Sequence, residues 1–103
     1  MEKQKVIWTR KAEIQLFSIM DYYAERNKSD VYSLKLENEI NKKLSNINFT
    51  VSLPKKSSDE NIYYVVYNHI CAFFGIENAS IIVYLVWDDR RNPKDLETSL
   101  LNI

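Results

Sequence analysis

Towards its C-terminal end the chain runs from Val83-Tyr84-Leu85-Val86-Trp87 straight into Asp88-Asp89-Arg90-Arg91-Asn92-Pro93, so an apolar stretch gives way at once to two acids and two arginines. Arginine's planar fork suits phosphates and carboxylates, which makes Arg90 and Arg91 the leading candidates for anion binding, with Lys55 and Lys56 as further cations upstream. The plainer reading is a buried strand reaching the surface, with one arginine folded back onto Asp88, Asp89 or a helix carboxylate and the other solvated. His69 is the only histidine, and its ordinary pKa of about 6.5 would suit general acid or base work. Asp88 and Asp89 are neighbours on or just past a strand and therefore point apart, which argues against a shared metal ion. Glu37 and Glu39 lie two apart on a helix and do not converge either.

The elements that must position these groups follow from periodicity. Lys5 to Thr9 is a short β-prone stretch, and Thr9 is a good N-cap. From Arg10 the spacing becomes helical, with Ala12, Leu16, Ile19, Met20 and Tyr23 on one stripe and an end near Arg26-Asn27. Ser29 is the expected cap of a second helix, whose stripe is Tyr32, Leu36, Ile40, Leu44 and Ile47, while Lys35, Glu37, Glu39, Lys42 and Lys43 face water. Residues 48–61 lose periodicity and read as an exposed loop around Pro54. Two strands follow, 62–67 and 70–76, separated by Asn68-His69, where Asn suits a positive-φ turn position and a turn histidine faces solvent. Ile81 to Trp87 is apolar on both alternating faces, as a strand flanked on both sides would be. The order β-α-α-β-β-β implies an α+β fold in which the helical hairpin of residues 10–47 packs on one face of a mostly antiparallel sheet. Leu96, Leu100 and Leu101 recur at helical spacing, either docked on the sheet as core or bordering a surface that a partner covers.

Bulk properties narrow the function classes. A chain of 103 residues forms one domain over 1–103, burying roughly 60–68% of the surface its unfolded form exposes. Fourteen basic and fourteen acidic residues give zero net charge, so no global field favours nucleic acid or an anionic membrane, and any nucleic-acid contact must be local. Cys71, the only cysteine, lies in an apolar run and is expected to be a buried, inert thiol; disulfide frameworks and cysteine metal clusters within one chain are excluded. Neither a signal peptide nor a stretch of membrane-spanning length is present, so the cytoplasm is the expected location, and no cofactor or metal is implied.

The order of elements, together with Val6-Ile7-Trp8-Thr9 and Ala12, Ile19-Met20-Asp21-Tyr22-Tyr23, Pro54, the paired strands around Tyr67 and Phe74, and Trp87-Asp88-Asp89-Arg90-Arg91-Asn92-Pro93 with Leu96 behind it, resembles the RelE/ParE family of bacterial type II toxin–antitoxin systems, which includes plasmid-stabilisation proteins. The resemblance covers nearly the whole chain. It implies a cytoplasmic growth inhibitor neutralised by a cognate antitoxin, present as a homodimer or a toxin–antitoxin hetero-oligomer. Arg90, Arg91, Lys55, Lys56, Leu96 and Leu100 are then the expected antitoxin-binding residues. One branch of the family cuts mRNA on the ribosome through attack by the ribose 2′-hydroxyl; the other blocks DNA gyrase by binding. Cleavage needs a proton acceptor, a proton donor and convergent cations. The ribonuclease-like members place an acid/base His or Tyr shortly after the last strand, whereas Lys94 to Ile103 contains neither. The tyrosines are expected as helix core or rim and as sheet pairs. The expectation is therefore binding to a protein such as DNA gyrase. A ribosome-dependent endonuclease using Arg90, Arg91 and His69, and a non-toxic binding homologue, are the alternatives.

Overall fold

A computed structural model describes residues 4–47, 55–56 and 61–90, with Lys55 and Lys56 described by backbone alone. The expected two-layer α+β architecture is present. Strand β1 (Val6–Trp8) leads into helices α1 (Arg10–Asn27) and α2 (Val31–Ser45), followed by β2 (Lys55–Lys56), β3 (Tyr63–Tyr67), β4 (Ile70–Glu77) and β5 (Ser80–Asp88). The sheet order is β1-β5-β4-β3-β2. All its pairings are antiparallel except β1 with β5, which run parallel with Trp8 opposite Val83. A parallel pair needs a crossover, and the helical hairpin begins that connection.

Thr9 joins the first helix to the sheet. Its backbone is extended (φ −67°, ψ 156°), and its hydroxyl oxygen accepts from the Ala12 N–H at 3.2 Å. The same hydroxyl donates to the Val83 carbonyl at 2.9 Å, which also accepts from the Thr9 N–H at 3.1 Å. Thr9→Ala removes both the cap and the tie to β5 and is expected to cost about 1–2 kcal/mol. It should lower the urea midpoint at unchanged slope, and Thr9→Ser should recover most of the loss.

Lys28 ends α1 in the left-handed region (φ 53°), and the Ser29 N–H closes onto Ala24 O at 3.1 Å. At the next helix the expected cap is displaced by one residue. Asp30 occupies the N-cap without a side-chain cap bond, while Ser29 Oγ, just outside, accepts from the Val31 N–H at 3.2 Å. Ser33 is buried in α2 although it was not expected there; its hydroxyl donates to the Met20 carbonyl at 2.6 Å, which satisfies it and pins the two helices together.

The helix stripes meet the sheet as their spacing requires. Ala12, Leu16, Ile19, Tyr23, Leu36, Ile40 and Leu44 are buried against Ile70, Ala72, Phe74, Ile81, Val83 and Val86. A second apolar cluster of Ile62, Phe73, Leu85 and Trp87 involves the alternate residues of β4 and β5. The expected exposed loop is corrected at Lys55–Lys56, which pair antiparallel with Tyr63 and Tyr64. Two lysines carry no apolar alternation, so so short an edge strand leaves no trace in the pattern.

One irregularity sets the site. Phe73 pairs with Leu85 but Phe74 with Val83, so Tyr84 is an extra residue on β5. Such a bulge inverts the alternation beyond it. Ile81 and Val83 face the helices before it; after it Val86 and Asp88 do, while Leu85 and Trp87 join the second cluster. Gly75 makes room for the bulged residue: a Cβ there would lie 2.7 Å from Cε2 of the Tyr84 ring. β5 is flanked by β1 and β4, as its two apolar faces imply.

Candidate functional site

The chain's chemistry gathers where β5 ends. Because of the bulge, Asp88 turns beneath α1 instead of away from it. Its side chain is 12% exposed and all its acceptor capacity is used. Oδ1 accepts from the Arg90 backbone N–H at 3.0 Å and from Arg90 Nε at 3.1 Å; Oδ2 accepts from Arg90 Nη2 at 2.9 Å and from the Tyr23 hydroxyl at 3.0 Å. The Arg90 guanidinium also stands 5.0 Å from the Tyr23 ring centroid, a cation–π distance. Tyr23 in turn meets Tyr22 and Tyr32 edge to face, both at 5.1 Å between centroids. The arginine has therefore folded back onto the strand-end carboxylate, as the plainer sequence reading allowed.

His69 occupies the β3–β4 turn after Asn68, whose φ of 55° fits the expected turn chemistry. It faces solvent as a turn histidine is expected to, and the sheet register sets it beside the end of β5: Ile70 pairs with Asp88, and the Asp89 N–H donates to the His69 carbonyl at 2.7 Å. His69 Nδ1 lies 3.2 Å from Asp89 Oδ1, with both side chains more than half exposed. The turn is further tied to α2 by Asn68 Nδ2, which donates to the Tyr32 hydroxyl at 3.2 Å. Asp88 and Asp89 thus point to different partners, and among the described residues no three potential metal ligands converge.

Of the residues singled out from the sequence, Arg90 and His69 share one end of the sheet. Lys55 and Lys56 lie on β2, paired with the other end of β3 from the His69 turn. Arg91, Leu96, Leu100 and Leu101 lie outside the described residues. Cys71 is half-buried rather than fully buried. Burial, and then the charges of Asp89 and Asp88, push its thiol pKa up, which keeps it protonated and a poor nucleophile.

Two clefts were not visible in the sequence. One, of about 420 Å³, runs between α1 and the end of β5 and is lined by Ser18, Ile19, Tyr22, Arg26, Asp88 and Arg90. The other, of about 500 Å³, lies beside the bulge among Ile62, Gly75, Glu77 and Tyr84. There burial, with the charge of Glu77, raises the Tyr84 pKa and keeps its hydroxyl a donor. The only sequence signal for either was the single glycine inside an apolar strand. No helix among the described residues is long and apolar enough to cross a membrane. No family model matches this chain, and no curated protein matches it either.

Proposed function

We propose that this chain is a toxin of a type II toxin–antitoxin module, similar to the RelE/ParE family, that acts in the cytoplasm by binding a protein target such as DNA gyrase and is held silent by a cognate antitoxin. What supports binding over RNA cleavage is the state of Arg90. Its charge is matched by Asp88 through two nitrogens, so it is not available to meet the charge of a phosphorane. The described residues of this corner set Arg26 and Arg90 against Asp88 and Asp89, so it carries no excess of positive charge to draw in a phosphate backbone. The β-α-α-β-β-β order over two layers, with the two-residue edge strand β2 added after the helices, is compatible with the family.

One contact favours a second reading, the ribosome-dependent endonuclease. A carboxylate on Nδ1 of an imidazole orients the ring and leaves Nε2 facing outward, and Asp89 stands in that relation to His69. The two readings separate in one experiment: translation on purified ribosomes run beside supercoiling by purified gyrase, with the wild-type chain and His69→Ala. Gyrase inhibition that survives His69→Ala, with translation untouched, is the expected outcome. Codon-positioned mRNA cuts that weaken about 10²–10⁴-fold in His69→Ala would establish cleavage instead. If expression of the chain without its neighbouring gene leaves growth unaffected and neither assay responds, it is a non-toxic binding homologue.

A further inference from the structure

The cleft between α1 and the end of β5 contains two guanidinium groups in different states. Arg90 is committed to Asp88 and lies over Tyr23. Arg26 has no carboxylate within ion-pair distance among the described residues; its Nη1 reaches only the Tyr22 hydroxyl, at 3.4 Å, the long end of a hydrogen bond. Glu25, the acid next to it in sequence, is already paired with Lys28 at 3.0 Å. Beside Arg26, Tyr22 is 55% exposed, a large aromatic residue left open on a helix whose inner stripe is buried. The cleft thus offers one unmatched cation, an exposed aromatic face, the Ser18 hydroxyl and a floor of Ile19.

We propose that this cleft docks an acidic side chain of a partner polypeptide, its carboxylate seated on the Arg26 guanidinium and a neighbouring apolar side chain laid against the Tyr22 ring. Charge complementarity selects this occupant. A guanidinium takes a carboxylate through paired N–H donors, and a single unmatched cation fits a single acid. A nucleic-acid strand needs several cations to hold successive phosphates, and this lining holds a single unmatched one. At about 420 Å³ the cleft has room for more than one side chain, as an acid with an apolar neighbour requires. An antitoxin tail would be such a polypeptide under the function proposed above, but the site rests on the cleft's own chemistry.

The test uses the full chain, isotope-labelled, titrated to millimolar with the blocked peptide Leu-Glu-Leu-Glu and its Gln counterpart while backbone amide resonances are followed. The acidic peptide is expected to shift the amides of Ser18, Tyr22, Arg26 and Arg90 saturably, and the Gln peptide to bind about tenfold more weakly. Arg26→Gln should weaken the acidic peptide by about tenfold, whereas Lys35→Gln, which removes the same charge from the exposed side of α2, should leave it within about twofold. Equal binding of the two peptides, equal losses in the two variants, or no shift at the cleft would overturn the proposal. So would a short oligouridylate that displaces the peptide with higher affinity, which would assign the cleft to nucleic acid, or the same shifts arising from protein concentration alone, which would assign it to a second copy. None of these outcomes bears on growth inhibition, so the two proposals fail separately.

Discussion

Val83→Asp is expected to abolish the folded state at neutral pH. Val83 is fully buried on the helix face of β5, between Trp8 on one neighbouring strand and Phe74 on the other. Its backbone carbonyl already holds Thr9, so the segment cannot rotate outward without releasing the start of α1. An isolated carboxylate there would have no partner, and the cheapest response, taking up a proton, still costs several kcal/mol at pH 7. Domains of this size hold only about 5–15 kcal/mol in total. Truncation without charge, Val83→Ala, removes roughly 2 kcal/mol and should leave a cooperative transition. The sign of the pH dependence follows from burial: it raises the folded-state pKa of the new acid above its unfolded value of about 3.9, so the penalty grows as pH rises past that value. Any residual fold of Val83→Asp should therefore appear near pH 4 and vanish by pH 7. Leu85→Lys, equally buried but on the opposite face, is expected to fail in the same way. Ile7→Asp is the control, since Ile7 is also in a strand but is 40% exposed on the edge strand β1; it should cost less than about 1 kcal/mol. Circular dichroism and urea titration read all of these, and a Val83→Asp protein with native stability at pH 7 would refute the placement of β5.

How much of this was legible depends on how local the signal is. The helices announced themselves because Ala12, Leu16, Ile19 and Tyr23 repeat at the period of a helix facing one surface, and the same holds for Leu36, Ile40 and Leu44. β5 was recognisable as a flanked strand because it lacks a polar face. What alternation cannot reveal is an inserted residue. Read at a strict period of two, Asp88 would lie on the same face as Tyr84 and Ile82, away from α1, and its contact with Tyr23 would be impossible. The bulge at Tyr84 is fixed by pairing with β4, and the one hint was Gly75 across the ladder. Ser33 escaped for the same reason: its burial is made tolerable by a bond to Met20, thirteen residues away, that no helical spacing reports. His69 lies in an exposed turn as expected, but its neighbour was not legible, because position along the chain says nothing of register; the antiparallel return of β4 and β5 carries the turn back beside Asp89.

The second large effect is expected at Asp88, the carboxylate that the bulge turns inward. Asp88→Ala removes four hydrogen-bond acceptances at once. Their costs differ. Tyr23 is only 7% exposed, so its hydroxyl is left without its acceptor in a place water reaches poorly, at about 1–3 kcal/mol. Arg90 is 42% exposed at its side chain and can turn to solvent, so its lost ion pair contributes well under a buried pair's value. Together the loss is expected to be about 2–4 kcal/mol, a large share of the stability of a domain this size. Asp88→Asn keeps the shape and one acceptor oxygen and should lose about half as much. Tyr23→Phe deletes the stranded donor itself, so in a Tyr23→Phe background Asp88→Ala should cost less than it does alone, by about 1 kcal/mol or more. The prediction separates two views of this corner. If Asp88 serves mainly to bury the end of β5 against α1, the coupling with Tyr23 is strong and Arg90→Gln costs little stability. If the Asp88–Arg90 pair carries the node, Arg90→Gln destabilises about as much as Asp88→Ala and the Tyr23 coupling vanishes. The exposures of 7% for Tyr23 and 42% for the Arg90 side chain favour the first, because an unsatisfied hydroxyl in the core costs more than an ion pair that water can replace.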